Sequence, residues 1–122
     1  MDIRIKIGDR SVEADLNDSP TAQKVAAALP LSADFDTWGD EIYFSIPVVA
    51  ELEQTARQTV EVGDLGYWPT GQAFCIFFGP TPMSTDSAPV AASAVNIIGR
   101  VKKDATCFKS VMDERRVTIE AI

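Results

Sequence analysis

The chain has 122 residues, of which 46% are hydrophobic and 24% are charged. A chain of this length folds as one domain, residues 1–122, and buries roughly two-thirds of its unfolded surface without disulfides or metals. The formal net charge of -7 at pH 7 disfavours a nucleic-acid partner, since affinity for phosphate backbones comes from clustered Lys and Arg. The composition therefore predicts an acidic, soluble, single-domain protein.

The sequence contains no histidine. This excludes Ser-His-Asp and Cys-His catalysis and most catalytic zinc sites, and no glycine pattern predicts a phosphate-binding loop. We therefore expect no metal and no cofactor. Carboxylates remain as candidate acids or bases, but the spacing of Asp34 with Asp36 and of Glu51 with Glu53 favours solvated positions, because like charges side by side repel.

Two cysteines occur, Cys75 inside an apolar run and Cys107 beside Phe108. Each is interpreted as a small buried hydrophobic residue, and the spacing neither requires nor excludes a disulfide. The chain starts with a strand pattern in place of a signal segment, and no apolar run approaches the ~20 residues needed to span a bilayer. A cytoplasmic protein without a membrane partner is the expectation.

Apolar residues alternate with polar ones over 3–7 and again over 12–16, on either side of Gly8-Asp9, which predicts a β-hairpin. Ser19 then precedes a proline, a pair typical of a helix N-cap and first turn. This pair predicts the one clear helix, over about 20–29, with an apolar face of Ala, Val and Leu.

Strands dominate the rest of the chain. Period-two or wholly apolar patterns predict strands over residues 31–36, 42–48, 58–62, 73–78, 94–101 and 115–122. The strand over 73–78 is apolar on both faces, with Phe74 and Phe78 on one face and Cys75 and Phe77 on the other. Residues 83–93 are predicted to form a surface loop, and a second short helix is predicted over about 104–112.

Many short strands, one clear helix and Gly/Pro turns predict a mainly β fold, closed into a β-barrel, because closure removes exposed strand edges. Residues 63–82 read GDLGYWPTGQAFCIFFGPTP and residues 96–101 read NIIGRV. Together these segments resemble the small bacterial and archaeal cyclophilin-like domain family. The resemblance covers most of the chain, and it implies a closed cyclophilin-like β-barrel with the helix capping one end.

Cyclophilins catalyse peptidyl-prolyl isomerisation in an apolar cleft, with an arginine and a histidine among its residues. This chain has no histidine, and neither Arg57 nor Arg100 lies in a motif that matches the catalytic arginine, so no catalytic residue is assigned. The resemblance implies a module that binds a small molecule or peptide in an apolar pocket. The alternatives are a prolyl isomerase and a structural subunit or domain of an amide-hydrolysing system.

Candidate ligand-binding residues lie at the two ends of the aromatic segment and on the late strand. Aromatic rings before Pro69 are suited to stacking on a ligand, or else to sealing the barrel rim. A charged residue after the apolar NIIG stretch must reach water, a carboxylate such as Glu61, or a ligand anion. The candidates are Tyr67, Trp68, Phe78, Pro82, Met83 and Arg100.

Overall fold

A computed structural model describes all 122 residues. The fold is mainly β, as predicted, with one ten-stranded antiparallel sheet, one α-helix and two short 3-10 helices. The strands are β1 Asp2–Ile7, β2 Arg10–Leu16, β3 Leu31–Asp34, β4 Asp36–Thr37, β5 Glu41–Ser45, β6 Arg57–Thr59, β7 Asp64–Trp68, β8 Ala73–Phe77, β9 Val90–Val101 and β10 Arg116–Ala121. The α-helix α1 is Pro20–Ala28, and the 3-10 helices are Pro69–Gly71 and Ala105–Val111.

The strands are hydrogen-bonded in the order β3-β10-β1-β2-β9-β7-β8-β5-β4, with β6 added to β9. The two end strands, β3 and β4, are not paired with each other, so the closed barrel that the sequence predicts is not confirmed. The physical reason is a change of partner at Phe35. Its N–H donates to the Arg115 carbonyl at 2.9 Å, whereas the next residue, Asp36, pairs with Tyr43 of β5.

Capping side chains mark the starts of the two helices that the sequence predicts. The Ser19 hydroxyl accepts a hydrogen bond from the Ala22 N–H at 3.2 Å, so the predicted N-cap of α1 is confirmed. The second predicted helix is present as the 3-10 turn Ala105–Val111, where the Asp104 carboxylate caps the Thr106 N–H at 3.0 Å. No helix in the structure has the length and apolar character required to cross a membrane.

The sheet separates two apolar clusters. The larger one contains Phe74 and Phe78, and the Phe74 ring stacks on Phe44 with ring centroids 5.2 Å apart. The smaller one lies on the opposite face of β8 and contains Cys75 and Phe77 together with residues of β9. The predicted division of the apolar run between two faces is therefore confirmed.

Several strand predictions are wrong. The strands predicted over 42–48 and 58–62 are the shorter β5, Glu41–Ser45, and β6, Arg57–Thr59. Strand β7, Asp64–Trp68, lies where the sequence predicted a turn and a rim, because Gly66 and the flanking glycine and proline turns obscure its alternation. Strand β9 begins at Val90, inside the predicted loop 83–93, and continues for 12 residues. Gly99 of β9 lies close to the backbone of β2, since a Cβ there would lie 2.2 Å from the Asp15 carbonyl oxygen.

Candidate functional site

An apolar pocket of about 110 Å³ lies on the face of the sheet that carries the smaller cluster. Strand β5 supplies Glu41 and Tyr43, because the alternating residues Ile42 and Phe44 point into the larger cluster. Strand β7 supplies Trp68 at its end. The complete lining is Trp38, Glu41, Tyr43, Trp68, Ala91, Ala92 and Val95.

The Trp68 ring is fixed from two sides. Its Nε1 donates a hydrogen bond to the Ser93 hydroxyl of β9 at 2.6 Å, which holds the ring against the wall of the pocket. Gly71 supports the ring from the adjoining 3-10 turn, where an added Cβ would lie 2.8 Å from a carbon of the indole. Both tryptophans of the chain, Trp38 and Trp68, line this one pocket.

Glu41 is the only charged residue in the lining, and just 6% of it is exposed. Burial raises the pKa of its carboxyl group to about 7, and the nearby Cys75 thiol opposes this shift. No lysine or arginine contributes to the pKa. No hydrogen bond from another residue reaches the carboxyl oxygens, and no fully buried side-chain oxygen in the structure is unpaired. The Glu41 oxygens therefore keep some contact with solvent at the pocket.

The neighbours of Glu41 are neutral or negative. Cys75 is buried, and its burial, followed by the influence of Glu41, raises the thiol pKa well above the ordinary value, so the sulfur stays protonated and unreactive. Burial also raises the pKa of Tyr43, helped by the negative charge of Asp36 and Glu41. The Tyr43 hydroxyl therefore remains a hydrogen-bond donor at neutral pH.

Of the six predicted binding residues, Trp68 lines this pocket. Tyr67 and Phe78 are fully buried in the larger cluster, where the Tyr67 hydroxyl donates to the Val48 carbonyl at 2.6 Å. The Phe78 ring is tilted against Phe108, with centroids 6.0 Å apart.

The other three candidates lie outside the lining. Pro82 packs against Gly39, in the turn that follows Trp38, and Met83 beside it is 47% exposed. Arg100 lies on a different surface, where its guanidinium donates to Asp64 Oδ1 at 2.7 Å and Glu61 Oε2 at 3.3 Å. Of the partners that the sequence left open for Arg100, the structure shows carboxylates, Glu61 among them.

Sequence reasoning missed Trp38, Glu41 and Tyr43. The signal for the last two was present in the alternation of EIYFS, which places Glu41 and Tyr43 on the same strand face. The burial of that face depends on β8 and β9, which pair from distant parts of the chain. No group of His, Cys, Asp and Glu side chains in the structure has the arrangement of a metal site.

Comparison with known proteins identifies the family. The sequence profile described as Cyclophilin-like matches residues 1–120. The chain belongs to the cyclophilin-like family. This cyclophilin-like domain is similar to the hypothetical protein AF2241 from Archaeoglobus fulgidus, with 39% identity and a TM-score of 0.82 over 100% of this chain and 95% of that one.

A more distant structural similarity connects the cyclophilin-like domain with McbB, whose structure was solved in complex with tryptophan. The identity is 14% and the TM-score 0.73, over 98% of this chain and 44% of McbB, so the two share the fold. Curated protein sequences gave no match to this chain.

Proposed function

We propose that this cyclophilin-like domain binds a small molecule in the pocket between Trp38, Tyr43 and Trp68. The observation that carries the proposal is Glu41, a buried carboxyl group with no basic partner in an otherwise apolar, aromatic lining. A buried carboxylate without a basic partner destabilises the fold, and a bound cationic ligand would compensate for this cost. Carboxyl groups with perturbed pKa values in clefts are also typical of functional sites. Preorganised aromatic walls with one polar group are typical of small-ligand pockets.

The size of the pocket favours a small molecule over a peptide. Its volume of about 110 Å³ is comparable with the roughly 150 Å³ of a closed cavity that holds benzene, and the pocket is open on one side, so it accommodates one small ring or a branched alkyl group. A peptide would need a longer groove or a free strand edge for its main chain. McbB, of which 44% shares this fold, was solved in complex with tryptophan, itself a small molecule.

Truncation of Trp68 is expected to weaken ligand binding at least about tenfold, because the indole supplies much of the apolar contact area. Fluorescence titration with a fragment library measures this, since both tryptophans report from the pocket. Ala92→Phe, at an exposed position in the lining, is expected to block the same ligands by filling the pocket.

Leu52→Ala provides the matched control, since Leu52 is a large, 56% exposed residue outside the lining. Met83→Ala tests whether the predicted residue beside the Trp38 turn contributes. Ligands whose affinity is unchanged by Trp68→Ala and Ala92→Phe bind elsewhere, and a library with only such ligands would contradict the proposed function.

Proline isomerisation is the competing activity, and we expect none above the uncatalysed rate. No arginine lines the pocket, and the Arg100 guanidinium is already engaged by two carboxylates and by the Val62 carbonyl at 3.1 Å. A protease-coupled assay on an X-Pro peptide measures the rate. Acceleration that disappears in Arg100→Ala or Arg57→Ala, with the fold intact, would favour the isomerase instead.

A further inference from the structure

The pocket combines three aromatic side chains with one carboxyl group. Trp38, Tyr43 and Trp68 are half-buried and present their rings to the cavity beside Glu41. The aromatic pairs of the structure are Phe44 with Phe74 and Phe78 with Phe108, so the pocket rings are not stacked on one another. Each of the three residues keeps part of its surface exposed at the pocket. Aromatic faces attract cations, with tryptophan the strongest of the three ring types.

The only charged side chain in the lining of the cavity is Glu41. Glu41 lies near the thiol of Cys75 on β8 and on the same strand as Tyr43. The carboxylate of Asp36 on β4 raises the pKa of that tyrosine. Strands β7 and β9 contribute only uncharged residues to the lining. The neighbouring Asp40 pairs with Lys109 at 3.7 Å, so that lysine is already engaged by a carboxylate.

We propose that the ligand is a small organic ammonium cation, held by Trp38, Tyr43 and Trp68 through cation–π contacts and by Glu41 through an ion pair. This inference rests on the proposed function, because it specifies the ligand class of the same pocket. An anion would meet a buried carboxylate without compensation, whereas a cation supplies the missing partner of Glu41. The net charge of -7 further attracts a cation toward the protein.

The volume restricts the cation to a small head group. A cavity of about 110 Å³ accepts a methylated or short-chain ammonium group, and a longer substituent extends through its open side. Recognition of such groups by clustered aromatic rings is a general solution, because the rings replace water around a weakly hydrated cation.

Protonation of Glu41 competes with the ligand. Burial keeps the carboxyl pKa at about 7, so the group is mostly neutral at pH 5.5 and mostly ionised at pH 8. A cation binds the ionised form more tightly, and its affinity is therefore expected to fall by at least about tenfold from pH 8 to pH 5.5. Glu41→Gln removes this dependence, while the side chain keeps nearly the same shape.

The test titrates the full chain with ethylammonium, tetramethylammonium, choline and benzylammonium at constant ionic strength, followed by tryptophan fluorescence. Neutral analogues of matched shape serve as controls, 3,3-dimethylbutan-1-ol for choline and benzyl alcohol for benzylammonium. At least one cation is expected to bind about tenfold tighter than its neutral analogue at pH 8. Glu41→Gln is expected to bring the two affinities to within about threefold of each other.

Trp68→Leu is the second variant, since leucine keeps an apolar wall without an aromatic face. It is expected to lower cation affinity at least fivefold (about 1 kcal/mol) and to leave the neutral analogue nearly unchanged. Neutral analogues that bind as tightly as the cations, and lose affinity in Ala92→Phe, would overturn the cation proposal and retain the pocket. If no cation binds at either pH, the cation proposal is also overturned, and the fragment titration decides the proposed function separately.

Discussion

The free energy of unfolding is expected to fall by about 3 kcal/mol between pH 4.5 and about pH 8, and Glu41→Gln is expected to remove most of that fall. The carboxyl group has an ordinary pKa of 4.5 in the unfolded chain and about 7 in the folded protein. In this window the folded state keeps a proton that the unfolded state has released. Stability therefore declines as the pH rises through the folded pKa and then levels off.

Urea unfolding at about pH 4.5, 5.5, 7 and 8 for the wild type and Glu41→Gln measures the difference between the two curves. Hydrogen bonds and ion pairs with Lys102, Thr106 and Lys6 lower the pKa values of Asp2, Asp104 and Glu120, respectively. These three carboxylates stabilise the fold at neutral pH and lose that stabilisation when the pH falls below the ordinary carboxyl pKa. Their effect on stability is therefore opposite in sign to that of Glu41 and occurs at lower pH.

An exposed glutamate provides the matched control for the same chemical change. Glu51→Gln is expected to leave the pH dependence as it is in the wild type, since the residue is exposed and lies outside the pocket. Parallel stability curves for wild type and Glu41→Gln would show that the Glu41 proton is not held in the folded state, and would contradict the described burial of the carboxyl group.

The expected pH dependence also bears on why the pocket contains an acid at all. Glutamine in the same place would avoid the cost of a buried negative charge near neutral pH, and the fold does not need the charge for an internal ion pair. Residues that destabilise a fold persist where function uses them. A bound ammonium cation would restore the lost stability, because it favours the ionised folded state.

Features decided by neighbouring residues could be predicted from the sequence. The N-cap Ser19 defines the start of α1 through a bond to a residue three positions later, and strand periodicity alone separates Phe74 from Phe77. A glycine inside a strand pattern, such as Gly99, indicates a bulge or a close approach, and the structure has the close approach. These signals need no knowledge of which strands pair.

The pocket could not be predicted in the same way, because three strands that are distant in sequence form it. Tyr43 of β5 pairs with Cys75 of β8, and β9 reaches Trp68 through the bond from its indole to Ser93. The predicted set of binding residues therefore includes Trp68 but not Trp38 or Tyr43. Tyr67 and Trp68 are adjacent, yet one is fully buried and the other lines the pocket, since successive strand residues face opposite sides.

Replacement of Asn96 is expected to cause the largest loss of stability among single changes to polar side chains. Asn96 is fully buried, its Nδ2 donates to Thr21 Oγ1 and to the Glu51 carbonyl, each at 2.9 Å, and its Oδ1 accepts from the Glu53 N–H at 2.8 Å. The side chain thus joins β9 to the first turn of α1 and to the segment after β5. Asn96→Ala is expected to lower the free energy of unfolding by about 4 kcal/mol, because it leaves buried groups unpaired and opens a cavity.

Asn17→Ala is the matched control, because it removes an exposed asparagine in place of a buried one. Asn17 is exposed, and it also bonds the backbone, donating to the Ile97 carbonyl at 2.9 Å and accepting from the Ser19 N–H at 3.0 Å. Water replaces both partners there, so the expected loss is about 1 kcal/mol in the same urea experiment. Equal losses at the two positions would mean that water reaches Asn96. Since Asn96 does not line the pocket, folded Asn96→Ala is expected to bind pocket ligands with unchanged affinity, which separates the stability of the fold from the chemistry of the site.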